Sequence, residues 1–176
     1  MHEPKGIASA SADEVYVADG AGSGTWKKHH QFIGAYIAFD ATTPAYQHSA
    51  TTSATVINPT FTVSESDGFS GTTSPNARLI YDGTDTINAH ITLTLSTKQA
   101  SGSAKDIQWI IYKNGSELAG SRTIRTISSG TWGSITVSGY TSLSTNDYIE
   151  VYSLASAACT VDYAGGFLSI MGVPNS

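Results

Sequence analysis

From Gln31 onward the chain is cut at short intervals by turn-forming clusters, and no helical period is long enough to compete with the strand-like stretches between them. Breaks fall at Ser66-Asp67-Gly68, Ser74-Pro75-Asn76, Tyr81-Asp82-Gly83-Thr84, Ser128-Ser129-Gly130 and Ser144-Thr145-Asn146-Asp147. The stretches they bound predict strands over 32–39, 54–63, 77–81, 87–96, 107–113, 117–127, 131–137, 148–154 and 160–173. The sharpest local signal is the run from Ile107 to Glu117, where Asn114-Gly115 supplies the positive φ values that a type I′ hairpin turn requires. Many strands, glycine-containing turns and no crossover helix predict an all-β fold, a two-sheet antiparallel jelly-roll sandwich. A chain of 176 residues supports one such core, assigned here to residues 31–176.

Residues 1–30 differ from the rest. Small residues dominate them, as in Ala8-Ser9-Ala10-Ser11-Ala12 and Asp19-Gly20-Ala21-Gly22-Ser23-Gly24, around one apolar island, Val15-Tyr16-Val17. Such a segment buries too little to offset its own ordering entropy, so it is expected to be an extended N-terminal arm that orders against a partner. In that reading Val15, Tyr16 and Val17 add as a strand to a partner's sheet edge, and Trp26 anchors the junction.

Several strands are apolar on both sides. In Tyr148-Ile149-Glu150-Val151-Tyr152, Ile149 and Val151 oppose Tyr148 and Tyr152; in Phe167-Leu168-Ser169-Ile170-Met171, Leu168 and Ile170 oppose Phe167 and Met171. A sandwich normally leaves one side of each sheet to water, so something must cover the outer side, and without a helix the cover is expected to be another copy. Tyr148, Tyr152, Phe167 and Met171 are therefore the expected interface between copies.

Residues that could carry chemistry are scarce. Adjacent His29 and His30 point to opposite sides of an extended chain and cannot readily share a metal, while His48 and His90 are isolated. Gly22-Ser23-Gly24 lacks the spacing of a nucleophile elbow, and no phosphate-loop lysine follows Gly20 to Gly24. Asp82 with Asp85, and Glu65 with Asp67, sit where Asp has a turn-forming role, and Asp82-Gly83-Thr84-Asp85 does not supply a calcium loop. One cysteine, Cys159, excludes an internal disulfide framework and reads as a buried, inert thiol. No catalytic residue, metal site or cofactor is expected. A net charge of -5 with nine scattered basic residues argues against nucleic acid, and no apolar run of membrane-spanning length or signal-peptide pattern occurs.

The run Ile110-Ile111-Tyr112-Lys113-Asn114-Gly115, then Arg122-Thr123-Ile124, Ser134-Ile135-Thr136-Val137, Leu143-Ser144-Thr145-Asn146-Asp147-Tyr148-Ile149-Glu150-Val151 and Phe167-Leu168-Ser169-Ile170, resembles the C1q/TNF-like jelly roll over roughly residues 32–173. Asn146 stands where that pattern has glycine, a mild departure because asparagine also tolerates left-handed geometry. The resemblance implies a compact homotrimer with an aromatic-lined threefold axis and carries over no catalytic residues. The segments Glu3-Pro4-Lys5-Gly6-Ile7, Val15 to Gly20 and Gly22-Ser23-Gly24-Thr25-Trp26 resemble the leading segments of tailed-bacteriophage virion proteins that carry a trimeric jelly roll on the particle surface.

Together these readings predict a non-enzymatic virion structural protein, assembled in the host cytoplasm. It would be a homotrimeric capsid decoration (cement) protein that grips the major capsid protein, or another virion protein, through its arm and stabilises the shell from outside. The alternative is a head-fibre or tail-fibre tip whose jelly roll binds a host-surface glycan.

Overall fold

The computed structural model describes residues 14–18, 24–28, 33–40, 46–59, 62–72, 75 and 78–174. The chain divides into two units, Met1–Gln31 and Phe32–Ser176. In the first, β1 (Glu14–Ala18) and β2 (Gly24–Lys28) pair antiparallel as a hairpin. The described part of the expected extended arm is thus paired within the chain. Val15, Tyr16 and Val17 pair with Lys27, Trp26 and Thr25 along one edge of the strand.

The second unit contains β3 (Ile33–Asp40), β4 (Tyr46–Ala50), β5 (Thr55–Val56), β6 (Thr62–Ser66), β7 (Phe69–Gly71), β8 (Arg78–Tyr81), β9 (Ile87–Gln99), β10 (Lys105–Lys113), β11 (Ser116–Glu117), β12 (Thr123–Ile127), β13 (Gly133–Leu143), β14 (Tyr148–Ala155) and β15 (Cys159–Pro174). One sheet runs β13-β9-β15-β3-β6, with β4 also on β15; the other runs β11-β10-β14-β8-β7, with β12 also on β10 and β5 on β14. The strand pairings are antiparallel, and most join strands far apart in sequence, as a jelly roll requires.

Alternation builds the core. Ile87, Ala89, Ile91, Leu93 and Leu95 of β9 face Trp109 and Ile111 of β10 and Ile149 and Val151 of β14 in one buried cluster. Across it Trp109 Nε1 donates to the Tyr163 hydroxyl at 3.3 Å, and burial pushes that phenol up to about 12. β15 changes partner along its length. Cys159 to Tyr163 pair with β4 and Gly165 to Gly172 with β3, either side of a bulge between Tyr163 and Gly165.

Several expected strands are redrawn. The stretch 54–63 is interrupted after Val56, where Pro59 has no amide hydrogen to continue a ladder. The stretch 117–127 breaks at Gly120, whose φ is +81°, with Ser121 turned back onto Leu118. β4 and β7 were not expected at all.

Candidate functional site

The outer side of the β13-β9-β15 sheet collects four of the large apolar side chains that the core leaves out. Residues directly opposite in an antiparallel ladder share a side, which gives four rows. They are Ser142, Asn88 and Val173; Tyr140, His90 and Met171; Ser138, Thr92 and Ser169; and Thr136, Thr94 and Phe167. Tyr140 is 65% exposed, Met171 55%, Phe167 41% and Val173 37%. The patch measures about 20 Å along the strands by about 10 Å across them. Its intervening residues are small and hydroxylated, and Thr94 and Thr136 lie 3.4 Å apart, oxygen to oxygen. Such a surface lets another backbone approach closely, with rings and Met171 projecting into it.

Tyr148 and Tyr152 do not belong to this surface. They lie on β14 in the other sheet, on its outer side, so the four residues expected to share one interface are divided between opposite sides of the sandwich. Nor do these tyrosines stand uncovered. Tyr112, Glu150 and Arg78 form one row across β10, β14 and β8. Arg78 donates to Glu150 Oε1 from Nε at 3.0 Å and Nη2 at 2.7 Å, while its guanidinium lies 4.2 Å from the Tyr148 ring centre. Tyr152 stacks on Tyr112 with centroids 3.9 Å apart and donates to Glu150 Oε2 at 3.4 Å. Burial, then the Glu150 charge, raises the Tyr152 phenol above its ordinary value. This carboxylate is only 2% exposed although it points away from the core, because its own chain covers it.

The segments that carry the C1q/TNF resemblance meet in space. Asn114 (φ +50°) and Gly115 (φ +75°) make the expected tight turn, and Asn146 takes φ +70° in the next one. Asn114 Nδ2 donates to Asp147 Oδ1 at 2.6 Å, its Oδ1 accepts from the Tyr148 amide at 2.9 Å, and Lys113 Nζ lies 2.8 Å from Asp147 Oδ2. Burial pushes the Asp147 carboxyl up, but hydrogen bonds from Lys113, the Ser144 amide and Asn114 outweigh it and hold the group below its ordinary range. These residues lock two turns together.

In the hairpin unit Tyr16 and Trp26 are directly opposite, with ring centroids 5.4 Å apart in an edge-on arrangement, and Val15 and Val17 are 41% and 42% exposed. Elsewhere, His48 is buried against Thr55 Oγ1 at 3.2 Å, and burial lowers its pKa. Cys159 is half-buried, and burial pushes its thiol up, away from the reactive thiolate. Among the described residues no group of three or more His, Cys, Asp or Glu converges as metal ligands would.

Of the residues on this surface the sequence singled out Phe167 and Met171 as interface candidates, but not Tyr140, His90 or Val173. The alternation of Ser134, Thr136, Ser138 and Tyr140 was visible, but only the pairing of β13 on β9 and β9 on β15 aligns Tyr140 with Met171.

No protein-family model matches the chain, and no curated protein matches it. Solved structures do. The crystal structure of murine APRIL at pH 8.0 is 13% identical with a TM-score of 0.50, covering 80% of this chain and 98% of that one. Eiger TNF from S. frugiperda is 11% identical with a TM-score of 0.47, covering 82% and 93%. The sheet topology and the APRIL likeness define the chain as an all-β jelly roll of the C1q/TNF-like type.

Proposed function

We propose that this protein is a homotrimeric structural ornament of a virus particle, a capsid decoration protein whose β13-β9-β15 surface is the seam between copies and whose hairpin unit attaches it. The observation that carries the trimer is the outward cluster of Tyr140, Phe167, Met171 and Val173 on a sheet that no helix among the described residues covers. A contiguous apolar patch of this kind marks an association surface, and the C1q/TNF-like fold favours three copies around it. The virion setting draws on the resemblance of residues 3–7 and 15–26 to the leading segments of virion proteins. Attachment by the hairpin draws on its exposed Val15 and Val17 and on the marginal stability of a two-stranded ribbon, which gains from a partner. Three such attachments on one trimer add avidity that a single hairpin lacks.

The test is the placement of the protein on particles. Purified protein added to undecorated capsids should bind the shell at a stoichiometry comparable to that of the capsid subunits and raise the temperature at which the shell opens. Binding confined to a few positions at vertices or tail would support the fibre reading instead, and absence of binding would refute a virion role.

A further inference from the structure

On the reading of the β13-β9-β15 surface as a seam between copies, we propose that His90 makes this seam pH-sensitive, tight where the imidazole is neutral and weaker as it takes a proton. His90 is exposed in the free protomer at the centre of the patch, with Tyr140 beside it on β13 and Met171 on β15. Along its own strand the neighbours on the same side are Asn88 and Thr92, and beyond Met171 the row continues to Gly34 of β3. None of these offers a negative charge to an imidazolium.

The charged residues of this sheet stand off from the ring: Asp67, just past the Ala35–Ser66 pair at the end of β6, is three strands over, about 14 Å across the sheet. Lys98 and Asp162, paired at 3.9 Å with Gln47 also donating to Asp162, are about 26 Å along the strands. Glu65 of β6 sits opposite Tyr36, one row over and about 14 Å across the sheet, and Asp40 sits opposite Gly165 beyond the Phe167 row. A second copy closing over the patch removes water from His90, none of Tyr140, Met171, Asn88 and Thr92 beside the ring is a carboxylate, and desolvation penalises the charged form of the ring. The sign follows from linkage. The separated protomer binds the proton more readily than the closed seam, so association is strongest above the imidazole's charge change and weakens as pH falls through it. A trimer closes over three such rings, so the effect multiplies.

Sedimentation velocity over a concentration series, on the full chain, tests this at about pH 8 and about pH 5. The wild-type dissociation midpoint should rise by about tenfold or more at the lower pH, whereas His90→Gln should change by less than about twofold. His90→Thr, matched to the hydroxyl residues of the adjacent rows, is the second variant should glutamine fit poorly, and far-ultraviolet circular dichroism at both pH values reports that the fold persists. A wild-type trimer with the same midpoint at both pH values overturns the proposal and leaves the seam standing. Equal weakening of wild type and both variants also overturns it, by assigning the effect to another group. A wild-type monomer at about pH 8 removes the seam itself and the proposal with it.

Discussion

Replacing Arg78 with alanine strips the paired cation from a carboxylate that is 2% exposed, and the structure sets the size of the loss. Glu150 Oε1 holds both hydrogen bonds from the guanidinium, at 3.0 and 2.7 Å, and Oε2 keeps only the long contact from Tyr152. Removing one partner of a buried ion pair costs about 3–5 kcal/mol, because the other charge stays buried and uncompensated. Arg78 is 24% exposed, so water reaches part of the pair, and the expected cost falls to about 2–4 kcal/mol. For a chain of this length that lowers Tm by about 4–16 °C. Replacing both members, Arg78→Met with Glu150→Leu, leaves no charge behind and should cost under about 1 kcal/mol. Urea unfolding of wild type, Arg78→Met, Glu150→Leu and the double variant closes the cycle, with Arg78→Ala measured beside them. An Arg78→Ala loss under about 0.5 kcal/mol, or a double variant weaker than Arg78→Ala, would refute the argument that this pair covers the outer side of β14.

Other consequences are equally direct. Asn114→Ala removes the acceptor of the Tyr148 amide and a donor to Asp147 and should cost about 1–3 kcal/mol in chemical denaturation. The Asp147 carboxyl is held below its ordinary value, so its contribution is complete above the unfolded pKa near 3.8 and is lost as pH falls through the folded one. The acid limb of the stability profile should therefore flatten in Asp147→Asn relative to wild type. Tyr163→Phe leaves Trp109 Nε1 buried without its acceptor and should destabilise by about 1–3 kcal/mol in thermal unfolding.

How much of this was legible in the sequence depended on how local the cause was. The Asn114-Gly115 turn was readable because its geometry is set by two adjacent residues. β4, Tyr46–Ala50, was not, because its sequence alternates little and its place is fixed by β15, more than a hundred residues later. The outward direction of Tyr148 and Tyr152 could be read from alternation, but not their cover, since Arg78 lies seventy residues away and reaches Glu150 only through the β8–β14 pairing. The same limit hid Tyr140 and His90, which became part of one surface through register alone.

The central claim is that copies of this chain meet through the outer side of β13, β9 and β15, and sedimentation equilibrium of wild type beside Met171→Asp tests it most directly. Met171 is 55% exposed in the protomer, so the aspartate costs the isolated fold little but buries an unpaired charge in a closed seam. The account predicts wild type at three times the 18.4 kDa chain mass and Met171→Asp as a folded species at one chain mass. Wild type at one chain mass, or Met171→Asp assembling as tightly as wild type, would contradict it.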